Sequence, residues 1–142
     1  MLLLAQALSA TEPADIPYRL LRSDLPKASD RMKEAAFAVS VDRPVNRADV
    51  ERLVCQILVK EKPPRYQTLN IRVFVDLNEY TPAIDSPDLD SINEQHQLAW
   101  YVWNRTLPRV RGRLVMTKDI DGNPLDPWQS REFNHEKACP SS

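Results

Sequence analysis

The chain has 142 residues, 42% hydrophobic and 27% charged, which suits one globular domain with an apolar core and excludes wholesale disorder. Its 19 Lys+Arg against 20 Asp+Glu leave a net charge of −1, so it carries no global basic field for gripping nucleic acid. With Gly 2 in the whole chain there is no material for a P-loop, a dinucleotide-binding turn or a nucleophile elbow.

Residues 1–10, MLLLAQALSA, make a short uncharged apolar stretch, far below the ~20 residues of a membrane-spanning helix. An apolar run followed by small residues at Ala7 and Ser9 fits the end of a secretory signal, although the basic leading region is missing. The competing reading is a short amphipathic helix docked on the core, or a frayed end. A signal remnant implies a periplasmic or secreted protein; otherwise the chain is cytoplasmic. Thr11 to Pro17 holds two prolines and reads as an extended linker. The expected division is a leader and linker over 1–17, a single α+β domain over 18–126 and a tail over 127–142.

Tyr18 to Arg22 is a short first strand. Lys33 to Asp42 alternates, with Ala35, Phe37, Val39 and Val41 on one face, and reads as a half-buried strand. Asn46 is a good N-cap, and Val50, Leu53, Val54, Ile57 and Leu58 form one apolar stripe, so 46–62 is the main helix. Pro63-Pro64 ends it. Leu69 to Leu77 alternates again, with Leu69, Ile71, Val73, Val75 and Leu77 on one face. Gln97 to Trp103 is strongly apolar on both faces, and Arg109 to Lys118 reads as the last strand before the turn residues Asp121 to Pro124. Periodicity vanishes beyond Pro127. The fold class is therefore α+β: a mostly antiparallel sheet of about five strands, with the 46–62 helix packed across one face.

Several constellations could carry chemistry. Asp76 to Glu94 is rich in carboxylates, densest at Asp85, Asp88 and Asp90, weak candidates for a hard cation against the plainer reading of a solvated loop. Asp119 to Asn123 begins like a calcium loop. Pro124 occupies the position that needs glycine, so a hairpin turn is the better reading. His135 and Cys139 would share a helix face and could hold a metal, the basis of an alternative as a small divalent-metal-dependent hydrolase. No cofactor is expected. Cys55 and Cys139 can pair if the chain is exported, closing a long loop worth on the order of 4 kcal/mol. The competing reading is a buried, inert thiol at Cys55.

The set that weighs most lies between Gln97 and Lys118, a stretch with no acid: Trp100, Trp103, Arg105, Arg109, Arg111 and Arg113. On a strand the three alternating arginines share a face, next to the tryptophans. Arginine with aromatics suits a protein interface. The competing reading pairs that face internally with the acidic loop, Glu34 or Asp42. An acidic protein surface is the favoured partner; a nucleic-acid-binding module is a third option that the near-zero net charge disfavours.

The element order, with Asn46 opening the helix and Ile71-Val73-Phe74-Val75 following it, resembles small bacterial α+β domains that carry export leaders, over residues 18–103. Such domains have no assigned activity, so the resemblance implies no site. The leading expectation is a small non-enzymatic protein-binding module, inhibitor-like or immunity-like.

Overall fold

The computed structural model describes residues 14–79 and 94–140. The strands are β1 (Arg19–Asp24), β2 (Glu34–Val41), β3 (Thr68–Val75), β4 (Gln97–Asn104), β5 (Gly112–Lys118) and β6 (Pro124–Glu132). The helices among the described residues include α1 (Arg47–Glu61), between β2 and β3, and α2 (His135–Ala138), after β6. The strands form one six-stranded sheet whose order, β1-β2-β3-β4-β5-β6, repeats the order in the chain. Only β2 and β3 pair in parallel; the other four neighbouring pairs are antiparallel. A parallel pair cannot be joined by a tight turn, and α1 lies in the long connection it requires.

The alternation of β2 and β3 sorts their side chains. Ala35, Phe37, Val39 and Val41, with Leu69, Ile71 and Val73, enter one buried apolar cluster, and Val50, Leu53, Val54 and Ile57 of α1 belong to it too. A second, smaller cluster holds Ala38, Phe74 and Leu77, with Leu21 against it; Leu77, expected on the face of Leu69 to Val75, departs from it because the strand ends at Val75 and Asp76 takes a left-handed conformation (φ 52°). The pairing of β3 with β4 slips between Val73 and Phe74, so Leu98 and Ala99 of β4 are both buried in the larger cluster, where strict alternation would separate them.

The ends of α1 follow local chemistry. Asn46 accepts the Asp49 N–H at 2.9 Å through its side chain. Lys62 takes a left-handed conformation (φ 45°) and returns its N–H to the Leu58 carbonyl, and Pro63 follows. The helix thus spans the predicted 46–62 once its two caps are included.

Two expectations need correction. The sheet has six strands, not about five, because β6 runs from Pro124 to Glu132, into the stretch from 127 on that was expected to be a tail. Nearly every residue of β6 is exposed, so the strand has no apolar period to read. Its pairing with β5 also slips between Met116 and Lys118, next to Pro127. Proline and a bulge are tolerated there because β6 lies on the sheet's edge. The last predicted strand also starts late. β5 begins at Gly112, so Arg109 and Arg111 precede it and only Arg113 of the three arginines lies within the strand.

The turn between β5 and β6 is the predicted hairpin. Asp119 accepts the N–H groups of Asp121 and Asn123 on Oδ1, both at 2.9 Å, and Gly122 takes a positive φ of 85°. Gly112 answers to a different constraint. A Cβ there would meet the Phe133 carbonyl oxygen at 2.1 Å, so only glycine lets β5 pass so close to the chain leaving β6.

Cys55 of α1 and Cys139, just after α2, form a disulfide with Cα atoms 5.4 Å apart. The thiol reading of Cys55 is thereby replaced. The segment from Ala14 to Tyr18 has no regular secondary structure. It is nonetheless fastened to α1: the Gln56 side chain accepts the Ile16 N–H at 2.9 Å and donates to the Ile16 carbonyl at 3.1 Å.

Candidate functional site: a cationic end of the sheet

The strand ladder lines up Lys33, Gln67 and Arg105 at one end of the sheet, just outside β2, β3 and β4. The Gln67 N–H donates to the Lys33 carbonyl at 2.6 Å, and the Arg105 N–H donates to the Gln67 carbonyl at 2.8 Å. The Lys33 N–H donates to the Gln67 side-chain oxygen at 3.1 Å. These backbone bonds set three neighbouring side chains in a row. With Arg65 they line a cavity of about 210 Å³. Arg111 joins this end because its carbonyl accepts the Asn104 N–H at 2.8 Å, and Arg109 lies in the same β4–β5 connection.

The cations here have little counter-charge. Arg105 and Arg111 both reach Glu136 of α2, at 3.6 and 3.4 Å. Each partner is about 40% exposed, so such long pairs contribute only ~0–1 kcal/mol each. Among the described residues Arg65 and Arg109 are in no ion pair. Arg111 therefore pairs with α2 rather than with Glu34 or Asp42. Asp85, Asp88 and Asp90 lie outside the described residues.

Trp103 supports this end from beneath. It is fully buried, with Arg105 stacked 5.3 Å above its ring and its indole N–H donated to the Asn134 side chain at 3.1 Å. The same Asn134 oxygen accepts the Glu136 N–H, so one residue caps α2 and anchors the tryptophan. Trp103, expected at a binding surface, is a core residue here.

Beside it His135 is enclosed by aromatic rings. The Tyr101 hydroxyl lies 2.9 Å from Nδ1 and also accepts the His135 backbone N–H at 3.1 Å; the Tyr66 hydroxyl lies 2.9 Å from Nε2. A neutral imidazole serves all three bonds, one ring nitrogen accepting from a tyrosine hydroxyl and the other donating to the second tyrosine, while the Tyr101 oxygen takes the backbone N–H. Burial pushes the His135 pKa down to about 4, and burial raises both tyrosine hydroxyls above their ordinary range. His135 is only 6% exposed and Cys139 is in the disulfide, so this pair presents no metal site. Among the described residues no cluster of three or more His, Cys, Asp or Glu is placed to hold a metal.

A neutral buried histidine makes stability depend on pH. In the unfolded chain the imidazole takes a proton below its ordinary value near 6.5, while in the fold it stays neutral to about 4. The unfolded state therefore binds more protons between these values, and stability falls as pH drops from 6.5 to 4. A loss on the order of 2 kcal/mol is expected from this group. Urea unfolding at pH 7 and pH 4.5 checks it, with His135→Gln removing most of its share of the slope.

The remaining members of the predicted set lie elsewhere. Trp100 stands on the opposite face of the sheet from Trp103, donating its indole N–H to Asn70 at 2.8 Å, with Arg72 stacked 4.8 Å away. Arg113 is near it, opposite Val102 of β4 and bonded to Ser130 of β6 at 3.4 Å. The structure thus brings Arg105 and Arg111 together on Glu136, with Arg109 in the connection between them, and separates this pair from Trp100 and Arg113. Lys33, Arg65 and Gln67 were missed, because nothing in their sequence neighbourhoods signals that β2 and β3 start side by side.

Larger cavities of about 520 and 550 Å³ flank the disulfide, but their walls mix Asp15, Glu51, Arg52 and Lys60 and show no charge of one sign. Comparison of the chain with family models, with curated proteins and with solved structures gave no match.

Proposed function

We propose that this protein is a non-enzymatic binding module whose cationic sheet end engages an acidic surface of a partner protein, in the manner of a small inhibitor or immunity protein. The observation that carries the reading is the gathering of Lys33, Arg65, Arg105 and Arg111 at one end, with Arg109 in the chain between the last two, where the ion pairs they make among the described residues all run to Glu136. In this reading α1 packs across one face of the sheet, supported by the apolar cluster it shares with the strands, and holds the cationic end rigid. Export is part of the proposal: a disulfide persists in an oxidising compartment.

The test is a charge reversal away from the core. Arg65→Glu with Arg109→Glu should leave the thermal transition nearly unchanged, because neither residue is in an ion pair among those described. Wild-type protein should retain an acidic protein from its native source in a salt-sensitive complex. The double variant should bind that protein at least tenfold more weakly, about 1.4 kcal/mol. Equal retention by both proteins would refute the reading.

A further inference from the structure

We propose that the cationic end carries its own apolar anchors, Leu25, Met32 and Leu107, and that the partner segment it takes interleaves aliphatic side chains with its carboxylates; this rests on the binding reading above. Three connections meet at this end: 25–33 leads into β2, 62–67 leads into β3 and 105–111 leaves β4. The main-chain bonds from Gln67 to Lys33 and from Arg105 to Gln67 tie them side by side. Their charge is almost all of one sign. The first connection carries Lys27, Arg31 and Lys33 against Asp30, whose carboxylate accepts the Lys27 N–H at 2.8 Å. The other two carry Lys62, Arg65, Arg105, Arg109 and Arg111 and no acid.

Among these charges stand exposed aliphatic residues. Met32 is 66% exposed, Leu107 44% and Leu25 43%. One exposed aliphatic side chain is ordinary surface. Several on connections tied to one another, within a field of one sign, make a mixed apolar and cationic face. Nor do they sit on loose chain. The Asp30 N–H donates to the Lys27 carbonyl at 3.0 Å, and the Lys33 ammonium donates to the carbonyls of Lys27 and Ala28, which folds the 25–33 connection on itself. The Asn104 side chain accepts the Thr106 N–H at 3.0 Å and the Thr106 hydroxyl at 2.8 Å, and the Asn104 carbonyl accepts the Leu107 N–H at 3.3 Å. Side chains displayed from fixed turns need little further ordering on binding.

The partner's chemistry follows from this mixture. Exposed charges steer and orient an acidic surface, but each adds little affinity. Affinity comes mainly from apolar side chains taken out of water. A bare polyanion would leave Met32 and Leu107 in water, and an uncharged apolar surface would leave the lysines and arginines unanswered. A segment with aliphatic groups set between carboxylates satisfies both.

The experiment is a calorimetric titration of the full-length oxidised protein with two synthetic octapeptides of equal charge, Glu-Glu-Leu-Glu-Glu-Leu-Glu-Glu and Glu-Glu-Ser-Glu-Glu-Ser-Glu-Glu. Wild type should bind the leucine peptide at least tenfold more tightly than the serine peptide. Met32→Ser with Leu107→Ser, checked for an unchanged melting transition, should bring the two peptides to within about threefold of each other. Ile120→Ser alters a residue that is 58% exposed at the opposite end of the sheet, and should keep the wild-type preference. Equal binding of the two peptides to wild type would overturn the anchors while leaving the acidic-partner reading standing. Loss of the preference in Ile120→Ser would overturn them as well, since it marks unspecific apolar adhesion. Binding to phosphatidylglycerol vesicles that needs Met32 and Leu107, with neither peptide bound, would replace the protein partner with an anionic lipid surface. Binding of no probe overturns this inference and the acidic-partner reading together.

Discussion

Removing the Cys55–Cys139 bond, by the double substitution Cys55→Ala and Cys139→Ala, is expected to cost about 4 kcal/mol of stability. The bond closes a sequence separation of 84 residues, which takes in the C-terminal half of α1 and every strand from β3 to β6. Without it the unfolded chain regains the freedom of that whole loop. The local consequence is as large. α2 has four residues, too few to persist as an isolated helix, and it depends on Asn134, His135 and Cys139 to stay in place. Equilibrium urea unfolding of the oxidised wild type and the double variant measures the difference. A loss below 1 kcal/mol would mean that the C-terminal segment is held by its buried contacts alone.

Trp103→Ala should cost about 3–5 kcal/mol, the range for emptying a buried aromatic site. The indole is fully enclosed and meets Tyr66 edge-on at 5.6 Å and His135 at 4.8 Å between ring centres. Its loss would leave a void beneath Arg105 and take one of the two donors from the Asn134 side chain. Trp103→Phe keeps most of the ring packing and removes the indole N–H, so it should cost less, about 1–2 kcal/mol. The contrast between the two variants separates volume from hydrogen bonding. A mild effect of both would contradict the core placement and return Trp103 to the surface role that its sequence context suggests.

The misplacement of Trp103 shows what the sequence could and could not disclose. Its neighbours Trp100, Tyr101 and Val102 are all large, so β4 offers no contrast between faces from which to choose the buried one. The partners decide it: Trp103 meets Tyr66, Asn134 and His135, which come from distant parts of the chain. By contrast α1 was legible to within its caps, because Asn46, the apolar stripe and Pro63-Pro64 all act within one helix. β2 and β3 were legible because their period of two is unbroken. β6 was not, since an exposed edge strand needs no apolar period. The cationic end was half visible. The acid-free run pointed to Arg105, Arg109 and Arg111, whereas Lys33, Arg65 and Gln67 join them only through pairing between strands remote in sequence.

The strand order places β1 and β6 at the two margins of the sheet, and a margin is where a further strand from another molecule could add itself. Neither margin offers a continuous template. β1 loses its regular spacing between Leu20 and Arg22. β6 contains Pro127, which has no N–H to give, beside the slip opposite Met116 and Lys118. Irregular margins of this kind discourage uncontrolled growth of the sheet from protein to protein. A concentrated solution should therefore resist fibril formation, leaving encounters with other proteins to side-chain chemistry rather than to backbone recruitment.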